Sequence, residues 1–291
     1  MNEEKQKEYF ITRYSLIPDA QIDIATLTGI TKEEKFYEWL LSFEREKRKE
    51  IVCGKKHYVL YCKKIEGDSF LLIFAKEFED IVGQKKEEGI ENVSISNYKT
   101  CNILINTTNQ WMIIEKCIDI SQTIITQKNM IATVIAKCMR PKDLYFELGI
   151  ISKKNDFWDF ITSNKDTITD VNITLSSPNF LKGITSVDEF LHETNEKYNN
   201  TSVTIHLRNE DGRLNIDNNN LFLQDAIRYS SAGCGKWSVK SSANRKAYTN
   251  EENPFIVNLP ENISELKASD IEKIQSTFVH VKQIDPECKE E

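Results

Sequence analysis

Apolar positions along the chain alternate in some stretches and recur at helical spacing in others, which divides it into short strands interleaved with amphipathic helices. Residues 8–16, EYFITRYSL, are rich in aromatic and β-branched side chains and stop before Pro18, which predicts a strand. From Thr31 to Glu50 the period changes to that of a helix. Thr31 and Glu34 have the spacing of a capping box, and Phe36, Trp39, Leu40 and Phe43 fall on one face. The remainder is charged and ends in a basic last turn that suits the helix dipole. In KHYVLYCKKIEGDSFLLIFAKEF two apolar runs flank Glu66-Gly67-Asp68, a hairpin signal. VSIS, CNILIN and QWMIIEKC predict further strands, the last two separated by the polar turn TTNQ. SQTIITQKNMIATVIAKCM reads two ways. Its apolar spacing fits a buried helix and its β-branched content fits a strand; helix is the reading adopted.

Past Pro141, DLYFELGII predicts a strand, KNDFWDFITSNK a short helix and DVNITLS another strand, followed by a loop in SSPNFLKG. Ser186 and Glu189 form a second capping-box pattern ahead of VDEFLHETNEKY. TSVTIHLRNEDGRLNI is a strand that turns at Asp211-Gly212, NNNLFLQDAIRYSS a helix capped by Gly233, and Ser269 to Phe278 an amphipathic helix. Strict βαβ alternation is missing and hairpins are present. This pattern predicts an α+β fold of mixed, mainly antiparallel sheets with packed helices. Two domains are expected, 1–140 with the β-hairpin and 141–291 with the basic GCGKW loop.

Composition narrows the classes. A 40% hydrophobic and 29% charged chain belongs with folded proteins. No apolar run approaches the roughly 18 to 20 residues of a membrane span. The opening MNEEKQKEYF has no apolar core, so a secretory leader is not expected and the cytoplasm is the expected compartment. Seven cysteines without a CxxC pair predict neither a disulfide framework nor a zinc site. Most sit in apolar strings as core residues; Cys234, between two glycines, is the one that looks exposed. The four histidines are dispersed, and neither a metal nor a cofactor is expected.

Catalytic signatures are missing as well. There is no GxxxxGK[ST], no GxGxxG after a strand and no GxSxG. Gly233-Cys234-Gly235-Lys236 looks like a phosphate cradle, but it follows a helix C-terminus, where the dipole disfavours an anion. A non-enzymatic protein is therefore the leading expectation, and a toxin-like nuclease with an unrecognised site the weakest.

The net charge is −7, yet two segments concentrate the cations. Residues 226–249 hold Arg228, Lys236, Lys240, Arg245 and Lys246 with no Asp or Glu; residues 45–64 hold Arg45, Lys47, Arg48, Lys49, Lys55, Lys56, Lys63 and Lys64 against Glu46 and Glu50. Brought to one face, such side chains would bind a polyanion without sequence preference and with steep salt dependence. Tyr229, Trp237 and Tyr248 could add stacking surfaces, although Trp237 in KWSVK equally fits an inward strand position. The predicted contacts are Lys236, Lys240, Arg245 and Lys246, supported by Arg228 and Trp237. A second surface comprises Lys47, Arg48, Lys55 and Lys56. An alternative is a protein-interaction or sensor subunit whose basic loop recognises an acidic partner.

The strand YFITRYSL, the charged helix after it and VCGKKHYVLYCKKIEGDSFLLIFAKEFED resemble the amino-terminal part of the phage lambda RexA exclusion family. TSVTIHLRNEDGRLNI is similar to a late strand-turn segment of the same family. These pieces cover about a third of the chain. The resemblance implies an abortive-infection protein without enzymatic activity. It would be a homodimer of two-domain subunits that binds DNA nonspecifically beside an integral-membrane partner, itself without membrane insertion, in a fold similar to the ring-forming protein RdgC. Gly54, Tyr58 and Gly67 match the family hairpin and read as structural.

Overall fold

Strand β1, Gln6–Pro18, is buried almost continuously from Tyr9 to Ile17, because both of its faces and both of its edges are covered. One edge pairs with β6, Trp111–Glu115. The other edge is shared end to end by β12, Ile256–Pro260, and β7, Leu144–Ile150. Beyond β6 the sheet continues through β5 (Gly89–Asn106), β4 (Ser69–Lys86), β3 (Lys56–Lys64) and β2 (Lys49–Cys53), with antiparallel pairing throughout. The computed structural model describes residues 5–18, 30–87, 89–176 and 185–285. The predicted loop after Ser176 and Cys288 lie outside them.

Helices α1, Lys32–Glu46, and α2, Ile124–Met139, cover one face of this sheet, with Phe36, Phe43, Ile131 and Ile135 packed among Phe10, Tyr14, Leu60 and Phe74. The predicted capping box of α1 forms: the Glu34 amide donates to Thr31 Oγ1 at 3.1 Å and the Thr31 amide to Glu34 Oε2 at 2.7 Å. The helix ends at Glu46, however, and not at Glu50. Lys47 turns to φ 66°, and the β-branched pair Ile51-Val52, followed by a turn at Gly54 (φ 62°), draws Lys49 and Glu50 into β2. VSIS and CNILIN belong to one strand, β5, and the ambiguous segment is the helix α2.

The second sheet has the order β11 (Tyr248–Thr249), β10 (Gly235–Ser241), β8 (Ile168–Ser176), β9 (Ser202–Arg208). Helices α3 (Asn155–Ser163), α4 (Thr185–Tyr198) and α5 (Leu221–Ser231) close a core around Phe157, Ile173, Leu191, Ile227 and Trp237 on one of its faces. The fold is thus α+β with antiparallel sheets and packed helices. Grouped by sheet, the chain does not divide at residue 140. β7, β12 and the last helix, α6 (Ala268–Ile284), all join the first sheet, where Ile274, Phe278 and Val281 pack on Tyr9, Ile11 and Trp111. The free edge of β1 and the uncovered face behind it account for this: backbone donors and apolar side chains there need partners, and the later half of the chain supplies them.

The two sheets meet at glycines. A Cβ on Gly149 of β7 would lie 1.9 Å from the Gly233 carbonyl oxygen, so the backbones touch where no side chain fits. Gly233 has φ 86° and follows α5 in a Schellman arrangement, its amide donating to Ser230 O at 3.2 Å and that of Cys234 to Tyr229 O at 3.3 Å. The Gly-Cys-Gly turn is therefore an interior junction, and Cys234 is buried, contrary to its exposed appearance in the sequence.

The second predicted capping box does not form at the helix start: α4 begins at Thr185, and the Ser186 hydroxyl donates to the Asp225 carboxylate of α5. One turn on, burial pushes the Asp188 carboxyl up to about 6, with His192 opposing and Asp225 reinforcing the shift, and Asp188 Oδ1 has no hydrogen-bond partner among the described residues. A carboxyl with a raised folded-state pKa binds its proton more tightly when folded. Its contribution is complete below the unfolded value near 4 and is lost as pH rises through about 6. Asp188→Asn is accordingly expected to raise the melting temperature at pH 7 and to leave it nearly unchanged at pH 4. Equal shifts at both pH values would contradict this.

Candidate nucleic-acid interface

Alternation along β10 sorts the basic segment into two sets. Trp237, Val239 and Ser241 point into the core, whereas Lys236, Ser238 and Lys240 stand on the open face of the second sheet. Antiparallel register extends this face in rows. Lys240 lies beside Asp170 and Arg208, Ser238 beside Asn172 and His206, and Lys236 beside Thr174 and Thr204. Asp170 and Glu210 neutralise part of the first row: His206 Nε2 is 3.3 Å from Asp170 Oδ1 and Arg208 Nε 3.7 Å, while Arg208 Nη2 pairs with Glu210 at 3.0 Å. Burial opposes the ionisation of Asp170, but the Thr169 hydroxyl, His206, Arg208 and Lys240 outweigh it and hold the carboxyl below its ordinary range. No Phe, Tyr or Trp side chain stands on this face among the described residues.

At the Lys236 end the face opens into a cleft of about 720 Å³ between the two sheets and α2. The wall of the cleft is one stripe of α2: Asn129, Ala132, Thr133, Ala136 and Lys137, continued by Arg140. The small residues leave room, and the two cations stand at the helix C-terminus, where the dipole favours positive charge. Lys128, Lys137, Arg140 and Lys236 line the cleft against Glu147 and Glu251. Glu251 is occupied by Lys128, whose ammonium is buried against it, and Glu147 accepts from the Ser176 hydroxyl at 2.8 Å. The Arg140 guanidinium lies 4.1 Å from the Tyr145 ring centroid, which helps orient it.

The sequence-predicted contacts distribute unevenly over this geometry. Lys236 lines the cleft and Lys240 stands on the adjoining open face. Arg245 and Lys246 lie beyond the far end of β10, exposed, with Lys246 paired to Glu252. Arg228 belongs to α5, on the core side of the sheet, and so is separated from the open face. Trp237 is 1% exposed, packed edge-on to Phe157 with ring centroids 5.2 Å apart, and offers no surface to a base. Tyr229 is buried too, and Tyr248 stacks on Phe160. The stacking expectation is thereby corrected: the aromatic residues of the basic segment build the core.

The second predicted surface sits on the opposite edge of the first sheet. Lys47 Nζ donates to the Glu44 carbonyl at 2.7 Å, and Arg48 pairs with Glu50 at 2.9 Å. Lys55 and Lys56 flank the β2–β3 turn, exposed. This edge connects with the cleft through α2, whose Lys137 ammonium reaches the Val52 carbonyl of β2. The two basic segments therefore do not meet each other; α2 stands between them and supplies cations of its own. Lys137, Arg140 and Arg208 were not anticipated. The signal for the first two was their helical spacing from Asn129 and Thr133, which the helix reading offers but which does not say that this stripe borders a cleft.

No protein-family model matches the chain, and neither does any curated protein or solved structure. Among the described residues no group of His, Cys, Asp or Glu is placed to hold a metal ion, and no helix is long and apolar enough to cross a membrane.

Proposed function

We propose that the chain binds nucleic acid through its phosphates, without sequence preference and without catalysis, as a component of antiphage exclusion. One observation carries the binding part of this reading. Lys236 and the α2 cations Lys137 and Arg140 line a concave cleft that continues onto a polar sheet face with Lys240 and Arg208. An electropositive groove lined by small residues and lacking exposed aromatic rings suits a sugar-phosphate backbone and offers nothing to read base identity. The negative charge of the remaining surface would repel the polyanion elsewhere and confine contact to this groove. The exclusion role rests on the resemblance of the β1–β4 segments to the RexA family, and an integral-membrane partner belongs to the same proposal.

A mobility-shift titration tests the binding. Duplexes of unrelated sequence are expected to bind equally at about 50 mM salt and to weaken roughly 10²-fold by about 200 mM, the slope for three or four phosphate contacts. The charge-reversed variant Lys137→Glu/Lys236→Glu/Lys240→Glu is expected to abolish the shift. No shift at low salt, or a variant that binds like wild type, would overturn the proposal and favour an acidic protein as the ligand.

A further inference from the structure

The β4–β5 pair extends far beyond the sheet it starts from. β4 loses its neighbour β3 after Lys76, and β5 gains β6 only at Ile103. Between these points Glu77–Lys86 and Gly89–Tyr98 pair with each other alone, a free ribbon roughly 33 Å long at the usual strand rise. A two-stranded ribbon by itself is marginally stable in water. Among the described residues it also carries four exposed apolar side chains: Ile81 is 74% exposed, Ile90 78%, Tyr98 49% and Val82 41%.

Register places Ile81, Ile90 and Tyr98 on one face and Val82 on the other. Glu77 is opposite Tyr98, Glu79 opposite Ser96, Ile81 opposite Ser94, Gly83 opposite Asn92 and Lys85 opposite Ile90. Gly83 makes room for Ile90, because a Cβ there would come within 2.8 Å of Ile90 Cγ2. This face has an order along its length, with acidic Glu77 and Glu79 and the Tyr98 ring at the base, Ile81 in the middle, and Lys85 with Ile90 toward the tip.

That order is its own complement. Turning a second ribbon over about an axis lying across the strands at Ile81 sets Ile81 on Ile81 once, on the axis, and Lys85 on Glu77 and Ile90 on Tyr98 twice each. We propose that this face is the interface of a homodimer, in which the ribbons of two copies stack face to face and antiparallel, with Ile81 on the twofold axis and Lys85 paired to Glu77 of the other copy. The contact is isologous, so it closes at two subunits. It covers Ile81, Ile90 and Tyr98 and supports a ribbon whose strands, among the described residues, pair only with each other over this length. The inference is independent of the nucleic-acid reading, since no ribbon residue lines the cleft.

Sedimentation velocity of the full chain, at concentrations from about 1 to about 100 µM as suits a dimer of moderate affinity, provides the test. The wild type is expected to sediment as a dimer. Ile81→Asp/Ile90→Asp is expected to sediment as a monomer while keeping the wild-type circular dichroism spectrum. Lys85→Glu and Glu77→Lys should each raise the dissociation constant about tenfold or more by placing like charges together at both ends. Combining them in one chain should restore the wild-type value. A monomeric wild type, an aspartate variant that stays dimeric, or a charge swap that fails to restore association would each overturn the proposal.

Discussion

Asp285→Ala is expected to lower the stability of the fold by about 3–5 kcal/mol, the cost of leaving one member of a buried ion pair without the other. Arg13 crosses from the middle of β1 to the junction of the two sheets. Its Nε donates to the Ala232 carbonyl at 2.8 Å and its Nη1 to the Asn109 carbonyl at 3.1 Å, while Nη2 meets the Asp285 carboxylate. The same carboxylate accepts from the Trp111 indole at 2.6 Å. Both Arg13 and Asp285 are buried, so removing the carboxylate takes away the negative charge beside the guanidinium and the acceptor of the indole N–H where water does not reach. Five parts of the fold are tied at this point: β1, the β5–β6 turn, β6, the end of α5 and the end of α6. Replacing both charges, as in Arg13→Met/Asp285→Leu, is expected to cost clearly less than Asp285→Ala, because no unpaired charge remains. Denaturant midpoints measure both. An Asp285→Ala midpoint equal to wild type would show that the pair contributes nothing.

Trp237→Ala should be nearly as damaging, at about 3–5 kcal/mol, the usual range for emptying a core of a large aromatic side chain. The indole fills the space between β10 and α3, touches Phe157 and Tyr248, and its Nε1 donates to Ser231 Oγ at 3.3 Å. The milder Trp237→Leu separates two roles that the basic segment leaves open. As a core residue, Trp237 can be replaced with a loss of stability and no loss of nucleic-acid affinity, provided binding is measured well below the lowered melting temperature. A Trp237→Leu protein as stable as wild type but defective in binding would restore the stacking role.

Much of the local structure was legible because it depends on residues a few positions apart. The Thr31–Glu34 box, the turn at Glu66-Gly67-Asp68 and the glycine after α5 are each decided by short-range hydrogen bonds or by a backbone angle that glycine tolerates. The second capping-box pattern failed for the complementary reason, since Ser186 found a tertiary acceptor in Asp225. The candidate site was half legible. Lys236 and Lys240 stand out by charge in the sequence, and alternation puts Trp237 on the other face of the strand. Parity alone does not say which face is covered by helices, so Trp237 stayed ambiguous until α3 and α5 were seen packing on it.

What the linear order of residues settled is the set of elements: an α+β chain with antiparallel hairpins, few catalytic signals and cations gathered in two stretches of an acidic whole. Folding decided which of those cations share a surface. α2 stands between the two stretches because its apolar stripe packs on the first sheet, and that docking brings Lys137 and Arg140 to the lining of the same cleft as Lys236, about a hundred positions away in the chain. The same holds for the edge of β1, where strands from the far end of the sequence complete the sheet. Contacts of such separation are set by which faces and edges remain unsatisfied after local structure has formed, a property of the assembled layers and of no single segment.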